Sequence, residues 1–102
     1  MNIEFLNTLL SSARVLPTSL VRVLPPIVCA DGCSLSVQAS EFHHCLPRNL
    51  TGPYTHVEVG FPSSPVPNSW IEYADSGEID SDVFAYVPIK LVVDFINSHG
   101  GV

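Results

Sequence analysis

The sequence predicts an α+β domain: a small antiparallel sheet of three to four strands with an N-terminal and a C-terminal helix. Three observations predict it. Apolar residues recur at helical spacing near both ends of the chain. Alternating stretches fill the middle, and Asp31-Gly32 stands between two of them as a hairpin turn would.

The first helix rests on Ile3, Leu6, Leu9, Leu10 and Ala13, which predict residues 3–14, stopped by Pro17. Residues 20–24, LVRVL, alternate before Pro25-Pro26 and predict a short edge strand. A hairpin follows, with strands at 27–30 and 33–39 around the Asp31-Gly32 turn, whose two residues are expected at positive φ. In the second of these strands Cys33, Leu35, Val37 and Ala39 point to the core. Ser34, Ser36, Gln38 and Ser40 form the polar face.

Residues 41–53 read as a loop punctuated by Pro47, Gly52 and Pro53. The next strand, 54–61, places Tyr54, His56, Glu58 and Gly60 on one face and Thr55, Val57, Val59 and Phe61 on the other. A proline-rich connection, 62–69, leads to a short helical turn at Trp70, Ile71 and Tyr73, with Trp70 and Phe61 in a satellite core. VFAYV, 83–87, is the fourth strand. Pro88 opens the last helix in its first turn, Leu91, Val92, Phe95 and Ile96 are its apolar face, and Gly100-Gly101 end it.

Composition bounds the function. The 102 residues suit a single domain, 1–102, and 46% apolar against 14% charged residues is the opposite of a disordered composition. So few charges suggest that part of the surface is covered by self-association, as a homodimer or higher homo-oligomer. The net charge of −6 leaves only Arg14, Arg22, Arg48 and Lys90 as fixed cations, which excludes a general nucleic-acid binder. Half of the ten acids lie in one run, Glu72, Asp75, Glu78, Asp80 and Asp82, read as a solvated loop. Glu4 and the interrupting Asn7, Ser11 and Ser12 argue against a secretory signal, and no run approaches the roughly 18 apolar residues of a membrane span. With an odd count of cysteines, Cys29, Cys33 and Cys45, the expected setting is a reducing cytoplasm.

The chemistry-bearing residues crowd into SVQASEFHHCLPR, 36–48. Zinc takes thiolate and imidazole, yet Cys29 and Cys33 straddle the hairpin turn in apolar phase and no C-x-x-C exists, so no metal is expected. His56-Val57-Glu58 has the H-x-E form of zinc deaminases, but no cysteine follows residue 45 to complete such a site. Cys45 beside His43 and His44 lacks the fold-assembled geometry of a nucleophile pair, and no G-x-S-x-G, phosphate loop or H-E-x-x-H is present. The reading is therefore non-enzymatic, without catalytic residues or cofactor. A small metal-dependent hydrolase is the least favoured alternative.

What remains is a ligand surface. Gln38 and Ser40 leave one strand; Tyr54, His56 and Glu58 leave another. If the two strands are neighbours, the loop adds Glu41, His43, His44 and Arg48 above a shared polar face. Such a patch offers donors, acceptors, stackable rings and an arginine suited to phosphate or carboxylate. The alternative is a polar face that simply meets water, with Arg48 in a surface bridge to Glu41 or Glu58.

The run LPPIVCADGCSLSVQAS, continued by HHCLPR, GPYTHVEVGFPS and YVPIKLVVDFINSHGG, resembles a small family of uncharacterised proteins of tailed bacteriophages and prophages, from about residue 20 onward. The resemblance implies an aromatic residue in relatives where Cys33 and His44 stand here, which further disfavours zinc. It implies no catalytic residues. It does imply an accessory protein of the host-cell cytoplasm that acts by binding, such as an anti-defence sponge for a small anionic, nucleotide-like ligand. The alternative it implies is a protein–protein inhibitor of a host factor, or a virion-associated structural protein, acting through the apolar and acidic surface of 62–82.

Overall fold

A computed structural model describes residues 1–12, 24–49 and 51–102. Its elements are α1 (Ile3–Ser12), β1 (Ile27–Val28), β2 (Ser34–Gln38), β3 (His56–Gly60), a 3-10 turn (Asn68–Tyr73), β4 (Val83–Pro88) and α2 (Ile89–Ser98). The strands form one antiparallel sheet in the order β1-β2-β3-β4. The α+β expectation is met. The strand expected at 20–24 lies outside the described residues except for Leu24.

The helices form where apolar spacing and capping agree. Asn2 caps α1 by accepting the Phe5 N–H at 2.7 Å, and Leu6 and Leu10 are its fully buried residues. Burying each contributes roughly 1.5–3 kcal/mol. The predicted Ile3 is exposed, and Ala13 lies outside the described residues. In α2 the buried face is Ile89, Val92, Val93, Phe95 and Ile96, with Leu91 only partly covered. Pro88 ends β4 and precedes the helix rather than sitting in its first turn, while the Ile89 N–H goes to the Thr55 carbonyl at 2.9 Å.

The sheet buries Cys33, Leu35, Val37 and Ala39 as the alternation predicts, together with Val57, Val59, Phe84 and Val87. Trp70 anchors the 3-10 turn in this same core, edge-on to Phe84 (5.6 Å, 80°) and 5.4 Å from Phe95. It belongs to the main core, not a satellite. Phe61 was expected beside it but is 67% exposed. Its φ of 52° turns the chain out of the strand just after Gly60, so the period of two stops there.

The hairpin turn also differs. Val28 faces Ser34, so Cys29 faces Cys33, and the Cys29 N–H meets the Cys33 carbonyl at 2.7 Å. Three residues, 30–32, therefore form the loop, and only Gly32 has positive φ (93°). That is the three-residue hairpin with a left-handed glycine, not the two-residue turn. The two thiols interact across it, and burial, ahead of Cys33, pushes the Cys29 thiol pKa up. All three cysteines are free and buried.

Three side-chain amides hold separate chain segments in place. Asn7 accepts the Tyr54 N–H (2.6 Å) and donates to the Tyr54 carbonyl (3.2 Å). Gln38 accepts the Leu24 N–H (2.8 Å) and donates to the Leu24 carbonyl (2.9 Å). Asn97 does the same for Met1, at 2.9 and 2.8 Å. Each satisfies both backbone groups of one residue, as a strand neighbour would.

Candidate functional site

Gln38 pairs in register with Glu58, so the polar faces of β2 and β3 do coincide. Residues 44–46 of the following loop then engage β3 and β4. Leu46 takes the seat beside His56 that β2 would have filled, with Leu46 N–H to the His56 carbonyl (3.0 Å) and Thr55 N–H to the Leu46 carbonyl (2.8 Å). Two residues earlier, the His44 carbonyl accepts the N–H of Tyr86 in β4 at 3.1 Å. The loop thus spans β3 from the β2 side to the β4 side.

Tyr86 reaches it because β4 is bulged. Val57 pairs with Val87 and Val59 with Phe84, so two steps on β3 face three on β4. Tyr86, at φ 54°, turns its amide out of the ladder toward the loop. Its ring centroid lies 5.6 Å from that of His44. Bulges re-aim side chains in this way, and a bulky residue at positive φ persists only where its surroundings enforce it. Tyr86 is not among the residues expected at the site. Its signal was the spacing of Phe84 and Val87, two core residues three positions apart in a period-two element.

The histidines are placed by specific partners. His43 Nδ1 lies 2.7 Å from Ser40 Oγ, and that oxygen also accepts the Phe42 N–H at 3.1 Å. Burial lowers the His43 pKa, His44 lowers it further, and Glu58 opposes both. The net direction favours the neutral imidazole. His44 Nδ1 lies 3.1 Å from Glu58 Oε1, and the two side chains are 48% and 21% exposed. Arg48 is exposed and donates from Nε to the His43 carbonyl at 3.1 Å. It pairs with neither Glu41 nor Glu58.

Arg48 is unusual among the charges. Of the fixed side-chain cations among the described residues, Lys90 is matched by Asp94 at 2.8 Å, one turn along α2. Arg48 has no carboxylate partner there. Its backbone anchor is through Nε, so that bond does not use the terminal guanidinium nitrogens, in an exposed residue of a chain whose net charge is −6. Exposed Phe42, Leu46 and Tyr86 supply apolar surface from the same loop and from the bulge.

Three predicted members do not join this surface as expected. Tyr54 is buried, its hydroxyl donating to the Asn49 carbonyl at 2.7 Å. Alternation was extended through it, but β3 begins only at His56, and Tyr54 answers to the loop's packing. Gln38 is buried and spent on Leu24 and Ser36. Ser40 is fully buried and supports His43 from below. His56 stays at the margin, its Nδ1 2.9 Å from Thr55 Oγ1. The loop rests directly on the sheet, so the result is a contoured surface of His43, His44, Arg48 and Glu58 with Tyr86, not a roofed pocket.

Cys45 is held as a core thiol in this arrangement. The Cys45 thiol is fully buried, its Sγ 3.1 Å from the Ser40 carbonyl oxygen and 3.5 Å from that of Pro47, either of which can accept its one proton, and burial pushes its pKa up. Among the described residues no three His, Cys, Asp or Glu side chains converge in a manner that could hold a metal ion. No helix among them is long and apolar enough to cross a membrane.

Comparison of the chain with protein-family models, curated proteins and solved structures found no match in any of the three. The functional reading therefore rests on this surface and its chemistry.

Proposed function

We propose that the chain is a non-catalytic binding protein that holds a small anionic, nucleotide-like ligand on the His43–His44–Arg48 surface. The observation that carries this reading is Arg48: a backbone-anchored guanidinium without a carboxylate partner among the described residues. Its terminal nitrogens suit two oxygens of a phosphate or carboxylate. The His44 ring, held between Glu58 and Tyr86, offers a fixed plane for a base or sugar. His43, whose neutral form burial favours, offers one ring nitrogen beyond the one used by Ser40. Tight holding without turnover is what a sequestering protein requires, and the resemblance to phage accessory proteins favours that use.

Thermal shift with a panel of cyclic and ADP-ribose-type nucleotides tests the reading. A ligand at a hundred times its Kd stabilises the fold by about 2.7 kcal/mol. Arg48→Ala is expected to abolish the shift while leaving the ligand-free Tm unchanged. Absence of stabilisation by every member of the panel sinks the proposal.

A further inference from the structure

A cleft of ≈ 290 Å³ opens between the proline-rich segment and the end of the acidic loop. Its lining includes Pro62, Pro65, Val66 and Ile79, with Asp80 and Asp82 exposed at its rim. We propose that this cleft docks a basic segment of a partner protein. The aliphatic stem of a lysine or arginine would lie on Val66 and Ile79, and its cation would sit between the two carboxylates.

Four observations carry the assignment, all apart from the histidine surface. The two carboxylates have no hydrogen bond or ion pair among the described residues, unlike Asp31 and Asp94. No lysine or arginine occurs between residues 48 and 90, so the cleft lies in the most acidic stretch of an acidic chain. Charge complementarity thus selects a cationic partner. Both walls are also set before any partner arrives. Prolines 62, 65 and 67 restrict the backbone of the first wall. The Ser63 N–H reaches the Ser34 carbonyl at 2.8 Å, and the Phe61 N–H reaches the Asp82 carbonyl at 2.6 Å. Ser81 Oγ fixes the second wall by donating to the Val83 carbonyl at 2.9 Å. Preformed walls lower the ordering cost of binding.

The fourth observation is Phe61. It adjoins Pro62, its amide is tied to Asp82, and it stands exposed at positive φ. Phe61 does not line the cleft itself, but an exposed ring one residue before Pro62 fits an apolar anchor for chain that continues beyond it.

The test uses a fluorescein-labelled octapeptide of lysines and leucines, with its glutamate-for-lysine version as control, and fluorescence anisotropy on the full chain. The lysine peptide is expected to bind and the glutamate peptide not to. Asp80→Asn with Asp82→Asn should weaken binding about tenfold or more. Asp75→Asn with Glu78→Gln removes the same charge outside the cleft and should change it less than about twofold. Arg48→Ala should leave it unchanged. Fluorescence of Trp70, the single tryptophan, confirms that each variant is folded. Equal binding of both peptides, no binding of the lysine peptide, or equal loss in the two double variants overturns the proposal.

Discussion

Two imidazole–carboxylate pairs, His99–Asp31 and His44–Glu58, join distant parts of this chain and do different work. In the first, His99 Nδ1 lies 2.5 Å from Asp31 Oδ2, and Asp31 Oδ1 accepts the Cys33 N–H. The Asp31 and Ala30 N–H groups meet the carbonyls of His99 and Gly101, and the His99 ring lies edge-on to Phe95 at 4.7 Å. The carboxylate and the surrounding backbone are thus engaged in joining the hairpin to the end of α2. In the second pair the separation is 3.1 Å and the neighbour is Tyr86, an outlying bulge residue. One side chain of each pair is about half exposed, Asp31 in the first and His44 in the second, so the difference lies in partners: both Asp31 oxygens accept, whereas Glu58 meets His44 through Oε1 alone. The number of atoms left over, not the presence of the pair, separates a latch from a surface with groups to spare.

The comparison breaks most readily at Gly100. A Cβ there would lie 2.9 Å from the Ala30 Cβ, at a φ of +91°. Gly100→Ala should destabilise the protein by roughly 2 kcal/mol or more, from the left-handed backbone cost plus the overlap. Urea denaturation followed by Trp70 fluorescence measures it. An unchanged midpoint would mean that the hairpin does not sit tightly on α2.

Exchanging the test between the two pairs sharpens the contrast. His99→Ala should lower stability and leave nucleotide binding intact. His44→Ala should weaken binding and shift stability by no more than about 0.5 kcal/mol. The reverse pattern would invert the assignment.

Acid should act on the two regions in separate windows. Burial lowers the His43 pKa below 6.5, so the unfolded chain binds more protons in the interval beneath that value. Stability is complete above pH 6.5 and falls as pH drops through the folded value; His43→Gln should flatten that decline. The Asp31 carboxyl is held below 3.8, chiefly by the Cys33 N–H and then by His99. Its contribution is present above 3.8 and lost as pH falls through the lower folded value, and Asp31→Asn should remove that more acidic loss. The smallest effect belongs to the solvent-exposed pair Lys90–Asp94. Lys90→Ala should change stability by less than about 0.5 kcal/mol, read by the same denaturation.

Local pattern made most of the fold legible. Cys33, Leu35, Val37 and Ala39 declare their phase within seven residues, and the apolar spacing of α2 has few other readings. The misplaced residues depend on partners far along the chain. Gln38 looks solvent-facing until Leu24 supplies a peptide group for its amide, and Tyr54 looks like a strand residue until Asn7 and Asn49 enclose it. His43, His44, Arg48 and Glu58 were legible as a group because three lie close in sequence and the fourth follows from alternation. Tyr86 was not, since an extra residue in a strand is set by its neighbour's register. Nor was the cleft, which needs residues 62–66 and 79–82 to meet.

The three carboxamide clamps have a consequence for the chemical ageing of the protein. Hydrolysis of Asn7, Gln38 or Asn97 would release ammonia and leave a carboxylate in place of the amide. At each clamp an N–H that now faces a carbonyl would become a negatively charged oxygen facing that carbonyl. One atom exchanged would turn an attraction into a repulsion. A stored sample should therefore loosen at Leu24 or Tyr54 before Met1, where the new carboxylate would also face the α-ammonium and gain an ion pair.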